Sequence, residues 1–220
     1  IRDQAARLAE RQTGTLGLGI DPGFIPERLP GADGHDILFQ REYFDPETIT
    51  ETPDFVVCRH TLEHVPEVGQ LMQDIARVIA GRDKAGIFFE TPDVRRVLEE
   101  GAFWDIYYEH CSYFTLGSHA RLFRRAGFDV TRLYLAYDGQ YIIQYAEPGT
   151  GRAPLSQEDD LDAVRALAAA FPERWPGSAA PGPISCRVAT LPGSGWRSGA
   201  VARKGFPSSP PTGWARRSHK

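Results

Sequence analysis

The sequence predicts an α/β fold: a doubly wound, largely parallel sheet that ends in an antiparallel hairpin. Two observations carry this. Short apolar runs alternate with helical apolar stripes through residues 1–150, and two final runs meet at Asp138-Gly139. Strand followed by helix followed by strand implies parallel pairing, and a two-residue turn between adjacent runs implies an antiparallel edge.

Taken in order, Ala5, Leu8 and Ala9 share one face of a helix that frays at Gln12-Thr13-Gly14. Residues 16–20 form a short strand closed by Asp21-Pro22-Gly23, residues 37–40 a second strand and residues 55–58 a third. Val65, Val68, Leu71, Met72, Ile75, Val78 and Ile79 then fall on one helical stripe. Residues 86–89 are a strand, and residues 116–126 a helix stopped by Gly127. Residues 130–135 and 141–145 are the hairpin.

Composition bounds the function. The 220 residues are 41% hydrophobic, enough for one substantial core plus an appendage. Residues 1–171 carry 17 basic against 28 acidic side chains, whereas the remaining 49 carry eight against one. An acidic body argues against nucleic acid as a partner. No apolar run reaches the ~20 residues that cross a bilayer, so no membrane partner is expected. Cys58, Cys111 and Cys186 have neither disulfide-framework nor zinc-site spacing, so a cytoplasmic setting is expected and no metal ligands are assigned. The chain opens on Ile1 and its one methionine is Met72, so it is expected to begin inside a longer reading frame. From residue 176 the basic tail, rich in Pro and Gly, reads as a disordered extension, joined to the body by a helical linker over residues 151–175.

The densest chemistry lies in Phe103-Trp104-Asp105-Ile106-Tyr107-Tyr108-Glu109-His110, with four aromatics, two carboxylates and an imidazole in succession. It is either an aromatic core segment with a polar rim or a proton-transfer site. In doubly wound sheets ligands sit beyond the carboxyl ends of the strands. Asp21 stands at one such end, where a carboxylate accepts hydrogen bonds from ribose hydroxyls; an ordinary Asp-Pro turn is the alternative. Arg59-His60-Thr61-Leu62-Glu63-His64 and Glu90-Thr91-Pro92-Asp93 follow two other strands. Tyr43 and Phe44 follow the strand at 37–40 and could stack on adenine or join the core.

GIDP, VCRHTLEHV, FFETPD, DIYYEHCSYF and RRAGFDV, in this order, resemble class I S-adenosylmethionine-dependent methyltransferases with a Rossmann-like sheet. The DIYYEHCSYF block is similar to the YHEH-type segment of sugar C-methyltransferases, which act on nucleotide-linked ketosugars. The resemblance covers residues 1–150. It implies S-adenosylmethionine as cofactor and methylation of carbon alpha to the ketone of a small-molecule substrate, a nucleotide-linked deoxysugar. His110 is expected to be the base, because an imidazole accepts a proton near neutrality. Tyr107 is expected to donate to the enolate oxygen, while Glu109 binds substrate or sets the pocket charge. His64 matches a second family histidine near the substrate, although a surface role is the alternative. Arg59 and His60 are expected to meet the cofactor's carboxylate or backbone. Gln140 falls where the family has a turn near the substrate, and His35, His119 and His219 are read as surface residues.

The family's glycine-rich loop and cysteine-ligated zinc module find no match, so the chain is expected to be a fragment that binds the cofactor weakly or not at all, its linker at residues 151–175 leading to a missing C-terminal half. Residues 198–208, read in a shifted frame, can encode W-G-S-G-A-K-G-V-S-F-L, which resembles the start of the family's C-terminal half. Out-of-frame translation of the tail is therefore set beside a natural linker. Three competing functions stay open: O- or N-methylation on the same fold, a dinucleotide oxidoreductase, and an inactive binding module.

Overall fold

A computed structural model describes residues 16–25 and 37–174. The expected helix around Ala5, the histidines His35 and His219, and the tail from residue 176 lie outside the described residues. Six strands are seen: β1 (Gly17–Ile20), β2 (Ile37–Gln40), β3 (Phe55–Arg59), β4 (Gly86–Pro92), β5 (Phe128–Ala136) and β6 (Tyr141–Pro148). Four α-helices accompany them: α1 (Val68–Val78), α2 (Arg95–Glu100), α3 (Leu116–Arg125) and α4 (Leu161–Arg174).

The strands make a mixed α/β architecture. β1 and β2 pair in parallel, Gly17 opposite Ile37 through Ile20 opposite Gln40. The other four form a sheet of order β3-β4-β6-β5, parallel between β3 and β4 and antiparallel thereafter. Among the described residues β3 is paired along one edge only. The parallel β3–β4 pair needs a crossover, and α1 supplies it.

Apolar side chains of α1 (Met72 and Ile75), α3 (Ala120 and Phe123) and the central strands (Ile87, Phe89, Val130 and Ile142) bury together as one core. Each fully buried aliphatic or aromatic side chain contributes about 1.5–3 kcal/mol. α3 starts with a reciprocal capping box, Thr115 accepting from the Ser118 amide and Ser118 Oγ accepting from the Thr115 amide. Gly127 ends it at φ 88°, a left-handed conformation that glycine adopts without a Cβ penalty.

Three expectations need correction. β4 does not stop at Phe89: Glu90, Thr91 and Pro92 continue it, because β6 pairs with it as far as Pro92 opposite Tyr141. The stripe from Val65 does not make one helix. Leu62–His64 is a separate 3-10 turn, and α1 begins only at Val68, beyond Pro66. His119 is not a surface residue. It is fully buried, its Nδ1 2.9 Å from Gln144 Oε1 and its Nε2 2.8 Å from Thr91 Oγ1, so it ties α3 to β4 and β6.

Candidate active site

The first cluster stands where β3 and β4 end. The Arg59 guanidinium donates from Nε to Glu90 Oε2 at 3.0 Å and from Nη2 to Oε1 at 2.8 Å. His60 Nε2 lies 2.8 Å from the same Oε1. Fork-on-carboxylate geometry of this kind is strong and directional, so Glu90, nearly inaccessible to solvent, is well neutralised. His60 adopts φ 48°, a left-handed backbone in a residue with a side chain, and its amide donates to the Glu90 carbonyl at 2.9 Å. That pairing holds an otherwise strained conformation. Glu63, followed by Glu90, raises the His60 pKa against its burial. Since Glu63 Oε1 is 3.8 Å from His60 Nδ1, beyond hydrogen-bond length, its action there is that of a nearby charge.

A second cluster adjoins the first through Glu63. Its main-chain carbonyl accepts from the Cys111 amide at 2.7 Å and the Ser112 amide at 3.2 Å, fastening the 3-10 turn to the loop that bears His110. The Cys111 thiol donates to the His64 carbonyl at 3.4 Å. This fastening brings the His64 and His110 rings together edge-to-face, with centroids 4.8 Å apart. Tyr107 lies 5.0 Å and Tyr113 5.7 Å from His110, also ring to ring. The Glu63 carboxylate is only 2% exposed, and its Oε2 has no hydrogen-bond partner among the described residues. His110 Nδ1 is likewise enclosed and unpartnered. Burial lowers the His110 pKa, with Glu63 opposing, so the ring is neutral near pH 7.

The aromatic segment is no core segment. Phe103, Trp104, Ile106 and Tyr107 are exposed, and Tyr108 is 93% exposed. Glu109, by a hydrogen bond and by its charge, raises the Tyr108 phenol pKa. Tyr113 Oη donates to the Tyr107 carbonyl at 3.2 Å, which shapes the loop. The β5–β6 turn closes the neighbouring wall: the Gln140 carbonyl accepts from the Asp93 amide at 2.9 Å, and the Gln140 side chain reaches Asp105 at 3.5 Å.

Asp21 is exposed at the end of β1 and spends Oδ1 on the Gly23 amide at 2.7 Å, which leaves Oδ2 to accept from a ligand. Tyr43 is exposed, whereas Phe44 packs against the core. The structure therefore gathers Arg59, His60, His64, Tyr107 and His110 around Glu63 and Glu90. Sequence reasoning gave no role to those two carboxylates. For Glu90 a signal was present in FFETPD, an acid directly after the apolar run of residues 87–89; Glu63 follows only Leu62 and offered none.

The class follows from comparison with known families: residues 4–133 match the methyltransferase-domain family, more than half of the chain, and the protein belongs to that family. One curated relative is the C-methyltransferase NovU of Streptomyces niveus, 32% identical over 95 residues, which cover 42% of this chain and 22% of that protein. The chain thus spans about a fifth of that relative's length. Among solved structures, 1,6-didemethyltoxoflavin-N1-methyltransferase of Burkholderia thailandensis, crystallised with S-adenosylhomocysteine, aligns at TM-score 0.51 and 16% identity over 67% of each chain. A methyltransferase in complex with the Haloferax volcanii activator Trm112 aligns at TM-score 0.50 and 12% identity, over 68% of this chain and 78% of that one. At these identities the likeness is one of fold.

Proposed function

We propose that the protein is an S-adenosylmethionine-dependent C-methyltransferase acting on carbon alpha to a ketone, with a nucleotide-linked deoxysugar as substrate. One observation carries the reading: a neutral, half-enclosed His110 packed against His64 and Tyr107 at the mouth of an aromatic loop. The relative NovU, a C-methyltransferase, supports carbon as the acceptor. The cofactor, when bound, supplies an electrophilic methyl group. Asp21 fits it, since its free Oδ2 can accept from ribose hydroxyls, and exposed Tyr43 offers a ring face for the adenine. Arg59 and His60, which neutralise Glu90, would hold the cofactor's carboxylate or backbone.

Carbon needs activation before it can accept a methyl group. His110 Nδ1 is enclosed, so Nε2 is the ring nitrogen that meets substrate. The α-carbon C–H bond breaks, its proton passes to Nε2, and its electron pair moves into an enolate. Tyr107 donates a hydrogen bond to the enolate oxygen, a placement worth a few kcal/mol when preorganised (about 2.7–4). S-adenosylmethionine, held by Asp21 and Tyr43, would supply the methyl group that the α-carbon accepts. His64 and Glu109 set the charge around the imidazolium, and Glu63 stabilises it from behind.

The test is deuterium exchange alpha to the ketone of a dTDP-4-ketosugar, followed by NMR in the full-length enzyme, with cofactor binding measured by calorimetry. Wild type exchanges. His110→Ala abolishes exchange and turnover with cofactor affinity retained, because only transition-state help is lost. Exchange within tenfold of wild type in that variant would refute the assignment of the base.

A further inference from the structure

We propose that Glu63, His64 and His110 together form a binding site for one divalent transition-metal ion of the zinc type. One carboxylate oxygen and one ring nitrogen from each histidine all lie within 4.8 Å of one another. The set crosses the fold: Glu63 and His64 come from the 3-10 turn after β3, and His110 from the loop before α3, joined by the Cys111 and Ser112 amides on the Glu63 carbonyl.

A second observation is independent of that spacing. Glu63 Oε2 and His110 Nδ1 are both shut off from solvent, and neither has a hydrogen-bond partner among the described residues. Buried polar atoms are rarely left unpaired, and a buried carboxylate without a cation is especially costly. His60 Nδ1 reaches Glu63 Oε1 only at 3.8 Å, and Oε2 is left without a hydrogen bond among the described residues. An ion between Glu63 and the two imidazoles satisfies both orphaned atoms at once.

The donor chemistry selects the ion. Two neutral imidazoles and one carboxylate suit zinc, cobalt and iron, whereas magnesium prefers oxygen donors and water. Metal–ligand bonds of about 2.0–2.2 Å place tetrahedral donors about 3.3 Å apart. Rotation of the His64 ring, on an exposed residue, closes the remaining gap, and the same exposure gives the ion a way in. Three protein ligands leave a position open for water or a substrate oxygen.

This site goes beyond the methyl-transfer reading and stands or falls without it. A metal on His110 Nδ1 fixes the ring proton on Nε2, so the metal-loaded ring cannot act as the base. With His110 as the base of the proposed function, occupancy and base chemistry exclude each other, and a zinc-loaded enzyme is an arrested one.

The experiment uses the full chain, stripped with chelator. Cobalt is titrated and followed by visible absorption, and zinc by calorimetry. One equivalent of each binds, cobalt gives the intense bands of low coordination, and magnesium does not compete. His64→Ala and His110→Ala each lower zinc affinity on the order of tenfold or more. Glu63→Gln does the same where it folds, as checked by circular dichroism, while Cys111→Ser leaves affinity unchanged. Absence of stoichiometric binding, or binding that survives both histidine variants, overturns the proposal. None of these readouts needs substrate or cofactor, so failure of α-proton exchange leaves them untouched.

Discussion

The fully buried His119 makes a pH signature that can be worked through. Burial drives its pKa down from 6.5 to about 4, although the hydrogen bond to Gln144 opposes this. Above pH 6.5 neither the folded nor the unfolded chain holds an extra proton on this ring. Between about pH 6.5 and 4 the unfolded ring binds a proton that the folded ring refuses, so stability falls as pH falls. Each pH unit costs up to about 1.36 kcal/mol, which over this window reaches roughly 3 kcal/mol and then levels off. Asp93 works in the opposite sense: burial raises its pKa to about 6, so its contribution is greatest in acid and is lost as pH rises through 6. The two nearly cancel in the wild-type profile, and only a difference measurement separates them. His119→Gln removes the titrating ring and leaves Asp93 in place. Urea unfolding followed by circular dichroism at pH 7, 6, 5 and 4 then gives two stability curves. The wild-type advantage over the variant shrinks by roughly 3 kcal/mol between pH 7 and pH 4. A gap constant to within about 1 kcal/mol across that range would refute the assignment of a neutral buried imidazole.

Arg124 joins α3 to the 3-10 turn Ser156–Glu158, pairing with Glu158 through both Nε and Nη2 at 2.7 Å. Arg124→Ala leaves a nearly inaccessible carboxylate with only the Leu155 amide as hydrogen-bond donor and costs about 3 kcal/mol, seen in chemical denaturation together with faster proteolysis after residue 150. Gly127→Ala forces a side chain into φ 88° and lowers stability by about 1 kcal/mol, read from the same denaturation curves; no loss would argue against the left-handed helix stop. Cys58 has its thiol pKa pushed up to about 12 by burial, whereas Cys111 is exposed. Iodoacetamide at pH 8 therefore labels exposed Cys111 well before Cys58, as peptide mass spectrometry would show; equal rates would contradict the raised thiol pKa of half-buried Cys58.

Much of the architecture was legible because it is local. Residues 37–40 read as a strand and form one, and Gly127 stops α3 as expected. What escaped depends on distant partners. Glu90 and Pro92 have poor strand propensity, and pairing with β6, some fifty residues later, carries the strand on to Pro92. His119 looked like a surface histidine on a polar helix, yet Thr91 and Gln144 from two strands give it a buried seat. The segment 103–110 announced chemistry by composition, and the LEHV histidine proved to face it. The link between them, the Glu63 carbonyl, is invisible in any one-dimensional pattern because main-chain acceptors carry no sequence signature.

That same carbonyl separates scaffold from chemistry. The turn bearing His64 and the loop bearing His110 are sewn together by peptide groups, which every side chain shares, so either imidazole can be exchanged without unpicking the seam. A frame of this kind can keep its shape while its reactive groups are rewritten, and one methyltransferase scaffold could thereby be retuned among different acceptors.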